Sequence, residues 1–128
     1  MSKINAWVWV GVVGLVGCGG SSVDGGGTDT SGGQSHAVER AAEANCDNYE
    51  ACGDIGAGKG YSTREECVTQ RSAYWSDRWP ATSCDKRINA NQLSVCLGAL
   101  QTISCNSLTD ELKVNNEKCP QASICAGN

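Results

Sequence analysis

The octapeptide GDIGAGKG, Gly53 to Gly60, fits the spacing Gly-x-x-x-x-Gly-Lys. In a phosphate-binding loop of that spacing, glycine amides cradle the phosphates, the lysine reaches the outer ones, and the next Ser or Thr holds magnesium. Position 60 is glycine, so the magnesium ligand is missing. Such a loop also follows a buried strand and opens directly into a helix. The residues before Gly53 instead carry helical periodicity, and the next helix is expected only near Thr63. The stretch therefore reads as a glycine turn between two antiparallel helices, with no nucleotide as its ligand. Asp54 and Lys59 are the side chains on it that a binding role would use.

The chain has nine cysteines. Cys18 stands apart from Cys46, Cys52, Cys67, Cys84, Cys96, Cys105, Cys119 and Cys125, an even set that suits four disulfides. No Cys-x-x-Cys occurs, which argues against a thioredoxin-like redox motif and a zinc ribbon. The single histidine, His36, lies at the edge of a Gly/Ser-rich stretch, and a Ser–His–Asp triad would have to use it. The fourteen Asp and Glu residues offer many carboxylate pairs, but nothing singles out two of them. No catalytic residue, metal ligand or cofactor is assigned, and the expectation is a protein that is not an enzyme. Tyr74, Trp75 and Trp79 form an aromatic group that suits core filling. It would alternatively serve as a surface patch for a partner or a ring-bearing ligand, since Tyr and Trp carry contact energy well. Tyr49 and Tyr61 could join that patch.

Cys18 has its own context. Lys3 is followed by an uncharged, largely apolar run from Ala6 to Val16. A membrane-spanning helix needs roughly 20 residues, so the run suits the apolar region of a secretory signal. Leu15-Val16-Gly17-Cys18 then resembles the bacterial lipobox, where cleavage precedes a cysteine whose thiol carries a diacylglyceryl group. The expected organisation is a lipoprotein signal peptide at 1–17, a lipidated Cys18 with a flexible tether at 18–35, and a cysteine-rich domain at 36–128. Export and paired cysteines point to the same oxidising compartment, the cell envelope. Gly19 rather than Asp after Cys18 favours the outer over the inner membrane. Formal net charge is −4 with no clustered Lys or Arg, which leaves nucleic-acid binding without support.

The domain reads as all-α. Val38, Ala41, Ala42, Asn45, Tyr49 and Cys52 recur at helical spacing within Ala37–Ala51, in an alanine-rich setting. Gly53 follows at the position where a left-handed turn ends a helix. Ser62-Thr63-Arg64-Glu65 has the form of a capping box for a second helix, which Pro80 ends. A third helix is expected over Ala90–Thr102, capped by Asn89 or Asn91, with Leu93, Cys96, Leu97, Leu100 and Ile103 as its apolar stripe. A short fourth is expected near Leu108–Val114, and CPQASIC should hold a turn and a helical fragment. The chain lacks Phe, so this thin core needs covalent staples. Cys52–Cys67 is expected to close the glycine loop and Cys84–Cys96 the next turn. Cys46, Cys105, Cys119 and Cys125 allow three pairings, of which Cys46–Cys105 is favoured.

AVERAAEANCDNYEACGDIGAGKGYSTREEC (Ala37–Cys67), QLSVCLGAL, SCNSLTD and CPQASIC together resemble a family of small cysteine-rich lipoproteins from myxobacteria. The family is of unknown function and is sometimes labelled natural-product-biosynthesis lipoproteins. The resemblance spans Ala37 to Cys125. It implies that the glycine loop belongs to the fold, and it transfers no catalytic residue. The resulting expectation is a membrane-anchored envelope protein whose stapled domain meets an unknown envelope protein, as an accessory to secreted-metabolite production. The alternatives are a secreted-type inhibitor or toxin-neutralising domain, and an envelope hydrolase with a carboxylate site.

Overall fold

The computed structural model describes residues 33–128. Six α-helices run in the order α1 Gly33–Ala51, α2 Arg64–Arg78, α3 Ala81–Cys84, α4 Ala90–Leu100, α5 Leu108–Lys113 and α6 Gln121–Ile124. A π-helical turn, Val114–Lys118, continues α5. Among the described residues there is no strand, only a single bridge between Ile55 and Tyr61. The domain is thus an all-α array stapled by disulfides.

The first helix begins earlier than its periodicity suggests. Gly33, Gln34 and Ser35, expected in the tether, form its opening turn. Gln34 is buried there, and its Nε2 donates to the Trp79 carbonyl at 2.7 Å. Alanines 37, 41, 42 and 44 face inward and permit close approach of α2 and α4. The helix ends as expected at Gly53. The Asp54 N–H donates to the Tyr49 carbonyl at 2.8 Å and the Gly53 N–H to the Glu50 carbonyl at 3.0 Å. This is the Schellman pattern, and it uses the left-handed φ of +76° that glycine adopts without a Cβ penalty.

The capping box of α2 sits one residue later than the expected Ser62–Glu65. Thr63 is the N-cap, accepting from the Glu66 N–H at 3.1 Å. The Glu66 carboxylate in turn accepts from the Ser62 N–H at 2.8 Å. Glu65 and Glu66 allow either frame, and in the one adopted Arg64 reaches back to Asp47 (2.6 Å) and Glu50 (3.1 Å) on α1. Asn89 caps α4 through the Gln92 N–H at 3.0 Å.

Cys67, Arg71, Trp75 and Trp79 succeed one another by four residues down the inner face of α2. Both tryptophans are fully buried, with ring centroids 4.6 Å apart. Leu93, Leu97 and Leu100 of α4, Ile103 and Ile124 complete the core around them.

Four disulfides join the elements: Cys46–Cys67, Cys52–Cys105, Cys84–Cys125 and Cys96–Cys119. None of the three expected pairs forms. Cys52 does not meet Cys67 because Cys67 lies a full turn inside α2. The residue level with it on antiparallel α1 lies a similar distance back from the helix end, at about 1.5 Å of rise per residue, and that residue is Cys46. Cys52 is carried past α2 and reaches Cys105, which displaces the expected Cys46–Cys105 pair. Cys84 does not meet Cys96 because the extra helix α3 directs it to Cys125, while mid-helical Cys96 faces Cys119.

Peptide mapping without reduction should recover these four links. A Cys96→Ala/Cys119→Ala variant should lose about 3 kcal/mol of unfolding free energy, the loop-closure contribution for a link of this span. Equilibrium denaturation measures that loss, and an unchanged midpoint would contradict it.

Candidate functional site

A polar seam lies at the end of the domain where α1 meets the glycine loop, α5 and the α4–α5 connection. Asn45 lies on the apolar stripe of α1, fully buried. Its Oδ1 accepts from Trp75 Nε1 at 2.8 Å and from Arg71 Nε and Nη2 at 3.2 and 3.1 Å. Arg71 continues toward Glu111, with Nη2 3.5 Å from Oε1. The Tyr49 hydroxyl donates to the same Glu111 oxygen at 2.6 Å. Burial first, and the hydrogen bond to Glu111 second, push the Tyr49 hydroxyl pKa well above its ordinary value. At neutral pH it is therefore a fixed donor rather than a base.

Tyr74 organises the other flank. The Arg71 guanidinium stands 4.1 Å from its ring centroid and that of Arg78 5.8 Å. Its hydroxyl accepts from Asn115 Nδ2 at 3.1 Å, and Arg78 donates to the Asn115 carbonyl at 2.8 Å. Asn115 is buried inside the π-helical turn. Among the described residues, Asn45 Nδ2 and Asn115 Oδ1 have no hydrogen-bond partner.

Beside this seam lies a recess of about 280 Å³, bordered by Tyr49, Cys52, Asp54, Ile103, Cys105, Leu108 and Glu111. Leu108 and Leu112, one turn apart on α5, are exposed. A second hollow, of about 360 Å³, separates α1 from α4 and carries Arg40, Glu43, Asp47 and Gln101.

The glycine loop folds over the seam, with the Tyr61 ring 5.5 Å from that of Tyr49. Several of its amides donate within the chain. Gly56 N–H donates to the Tyr61 carbonyl (2.8 Å), Tyr61 N–H to that of Asp54 (3.2 Å), and Lys59 N–H to that of Gly56 (3.1 Å). Lys59 is exposed at the tip.

The structure divides the aromatic trio between the favoured core-filling reading and the alternative of a surface patch. Trp75 and Trp79 are enclosed in the core, with the Trp79 indole N–H donating to the Cys119 carbonyl at 3.1 Å. Only Tyr74 is partly exposed. The inward face of α2 is fixed by Cys67, which leaves both indoles no route to solvent. His36 is exposed on α1. Among the described residues, no group of three or more His, Cys, Asp or Glu is placed to hold a metal ion. Cys18 lies outside the described residues. The seam itself was signalled by one feature, the polar Asn45 within an apolar stripe; its link to Glu111, 66 positions on, was not.

A family model described as a family of unknown function, DUF6184, matches residues 46–127, a span that includes all four disulfides. No curated protein and no solved structure matches the chain.

Two outcomes test the site. Because the folded state holds the Tyr49 proton more tightly, the unfolded state loses it first, and stability falls as pH rises above about 10. Tyr49→Phe should flatten that alkaline slope in denaturant titrations. Lys59→Ala should leave stability within about 0.5 kcal/mol of the parent, as an exposed substitution does, and neither protein should bind ATP saturably in calorimetry.

Proposed function

The chain belongs to the family of unknown function DUF6184, and from that premise we propose that it is a lipid-anchored envelope protein displaying a disulfide-stapled helical domain. The observation that carries this reading is the cysteine count. Eight cysteines pair among themselves, and the ninth, Cys18, directly follows an uncharged apolar run and the sequence Leu15-Val16-Gly17. Stable disulfides belong to oxidising compartments, and a lipobox cysteine belongs to an exported chain. Cys18 takes the diacylglyceryl group as a thioether, and cleavage before it leaves the lipid at the new N-terminus. Gly19 directs the product to the outer membrane, and the Gly/Ser-rich stretch holds the domain away from the lipid.

The domain acts by binding, as an accessory to secreted-metabolite production of the kind that the resemblance to myxobacterial lipoproteins suggests. Its polar seam supports this: Tyr49 is held protonated, and Glu111 is engaged by both Tyr49 and Arg71. These groups fix α1, α2 and α5 to one another and support the surface formed by the recess and by Leu108 and Leu112. That surface is where an envelope protein meets the domain.

Cys18→Ala should move the protein from the membrane to the soluble fraction and prevent cleavage before residue 18, read by fractionation and intact mass. A Cys18→Ala protein that still sediments with membranes would overturn the anchor.

A further inference from the structure

The four disulfides differ in access. Cys46, Cys67, Cys84, Cys96 and Cys119 are fully buried and Cys125 is 6% exposed, whereas Cys105 is exposed and Cys52 half-buried. The recess beside the polar seam opens onto both Cys52 and Cys105. Thiol–disulfide exchange requires a thiolate to reach one sulfur of the bond, so access governs which link reacts first.

We propose that Cys52–Cys105 is a thiol-exchange site, opened by a dithiol while the domain stays folded and the other three links stay closed. This proposal stands whether or not Cys18 carries lipid. In the first step a thiolate of the dithiol attacks Cys105 Sγ. A mixed disulfide forms, the Cys52–Cys105 bond breaks, and its electron pair leaves on Cys52 Sγ. The second thiol of the reductant, as thiolate, then attacks its own sulfur in the mixed disulfide and releases Cys105 Sγ. The dithiol ends oxidised to a disulfide, and its two protons end on the two cysteines. The Asp54 carboxylate borders the recess, while that of Glu111 is already paired with Arg71, so the recess favours a neutral dithiol over one bearing carboxylates.

The same junction has contacts that survive this step. Asn48 Nδ2 donates to the Ile103 carbonyl at 2.9 Å and to that of Gln101 at 3.3 Å. Tyr49 holds Glu111 of α5 at 2.6 Å. Cys46–Cys67 continues to fix α1 against α2, and Cys96–Cys119 continues to fix α4 to the π-helical turn. Opening Cys52–Cys105 therefore frees the Ser104–Ser107 turn from the end of α1 without releasing either helix.

The test treats the full chain, without denaturant, with increasing dithiothreitol, traps thiols by alkylation and assigns them by peptide mass. The expected result is a stage with two new labels, on Cys52 and Cys105, beyond any that Cys18 takes before reduction, at unchanged helical circular dichroism. Labelling of all eight together, of another pair first, or of none before denaturant is added would overturn the proposal. Cys52→Ser/Cys105→Ser should fold to the same helical signal and lose the early labelling stage. A variant without helical signal would show that the opened form cannot stand and would equally overturn it.

Discussion

The register of α1 against α2, fixed by Cys46–Cys67 with its Cα atoms 6.0 Å apart, is the constraint on which the other contacts depend. From that link, successive turns of α2 bring Arg71 and Trp75 onto Asn45 and then Trp79 onto Gln34. In the other direction, Arg64 falls beside Asp47 and Glu50, and Cys52 projects beyond α2 to Cys105. A slip of one residue turns a helical side chain by about 100° around the axis. Such a slip would remove the Asn45 carbonyl from three donors at once and leave the Trp75 indole N–H buried without an acceptor.

This dependence follows from how little apolar bulk the chain brings. Alanines line much of α1, and each contributes little area when buried, at about 25 cal/mol per Å². The two tryptophans carry a large share of the burial, and each brings an N–H that needs a partner. Trp75 finds Asn45 and Trp79 finds the Cys119 carbonyl. Cys119 is in turn held by Cys96, so the disulfide and the indole hydrogen bond position the same residue. Covalent links thus do more here than reduce the entropy of the unfolded chain: they place the acceptors that let the large side chains be buried.

Local signals in the sequence located the helices well. Alanine content, Gly53 at the end of α1, Asn89 before α4 and Pro80 after α2 each act within a few residues, and the end of α1, the start of α4 and the end of α2 lie where they indicate. The opening turn of α1 escaped notice because it depends on Gln34 reaching Trp79, 45 positions away. The cysteine pairing failed for a related reason. Cys52–Cys67 and Cys84–Cys96 were expected from closeness in sequence, whereas links such as Cys52–Cys105 span 53 positions and follow from helix register and the unforeseen α3. Of the polar seam, Asn45 was visible as a polar member of an apolar helical stripe. Glu111 was not, since nothing near it in sequence distinguishes it from other exposed carboxylates.

The glycine loop shows why a spacing alone underdetermines chemistry. Gly-x-x-x-x-Gly-Lys records backbone conformation: positive φ at Gly53, Gly56 and Gly58 lets the chain turn tightly twice. Whether the loop meets a phosphate depends on where its N–H groups point. In a phosphate-binding loop they converge outward on an anion. In this loop the amides of residues 53, 54, 56, 59 and 61 donate to carbonyls of Glu50, Tyr49, Tyr61, Gly56 and Asp54. These bonds close much of the turn on itself, and it meets the seam through the packing of Tyr61 on Tyr49. The same glycines that suggest a ligand site serve to seat one tyrosine on another, at the edge of the recess that exposes Cys52 and Cys105.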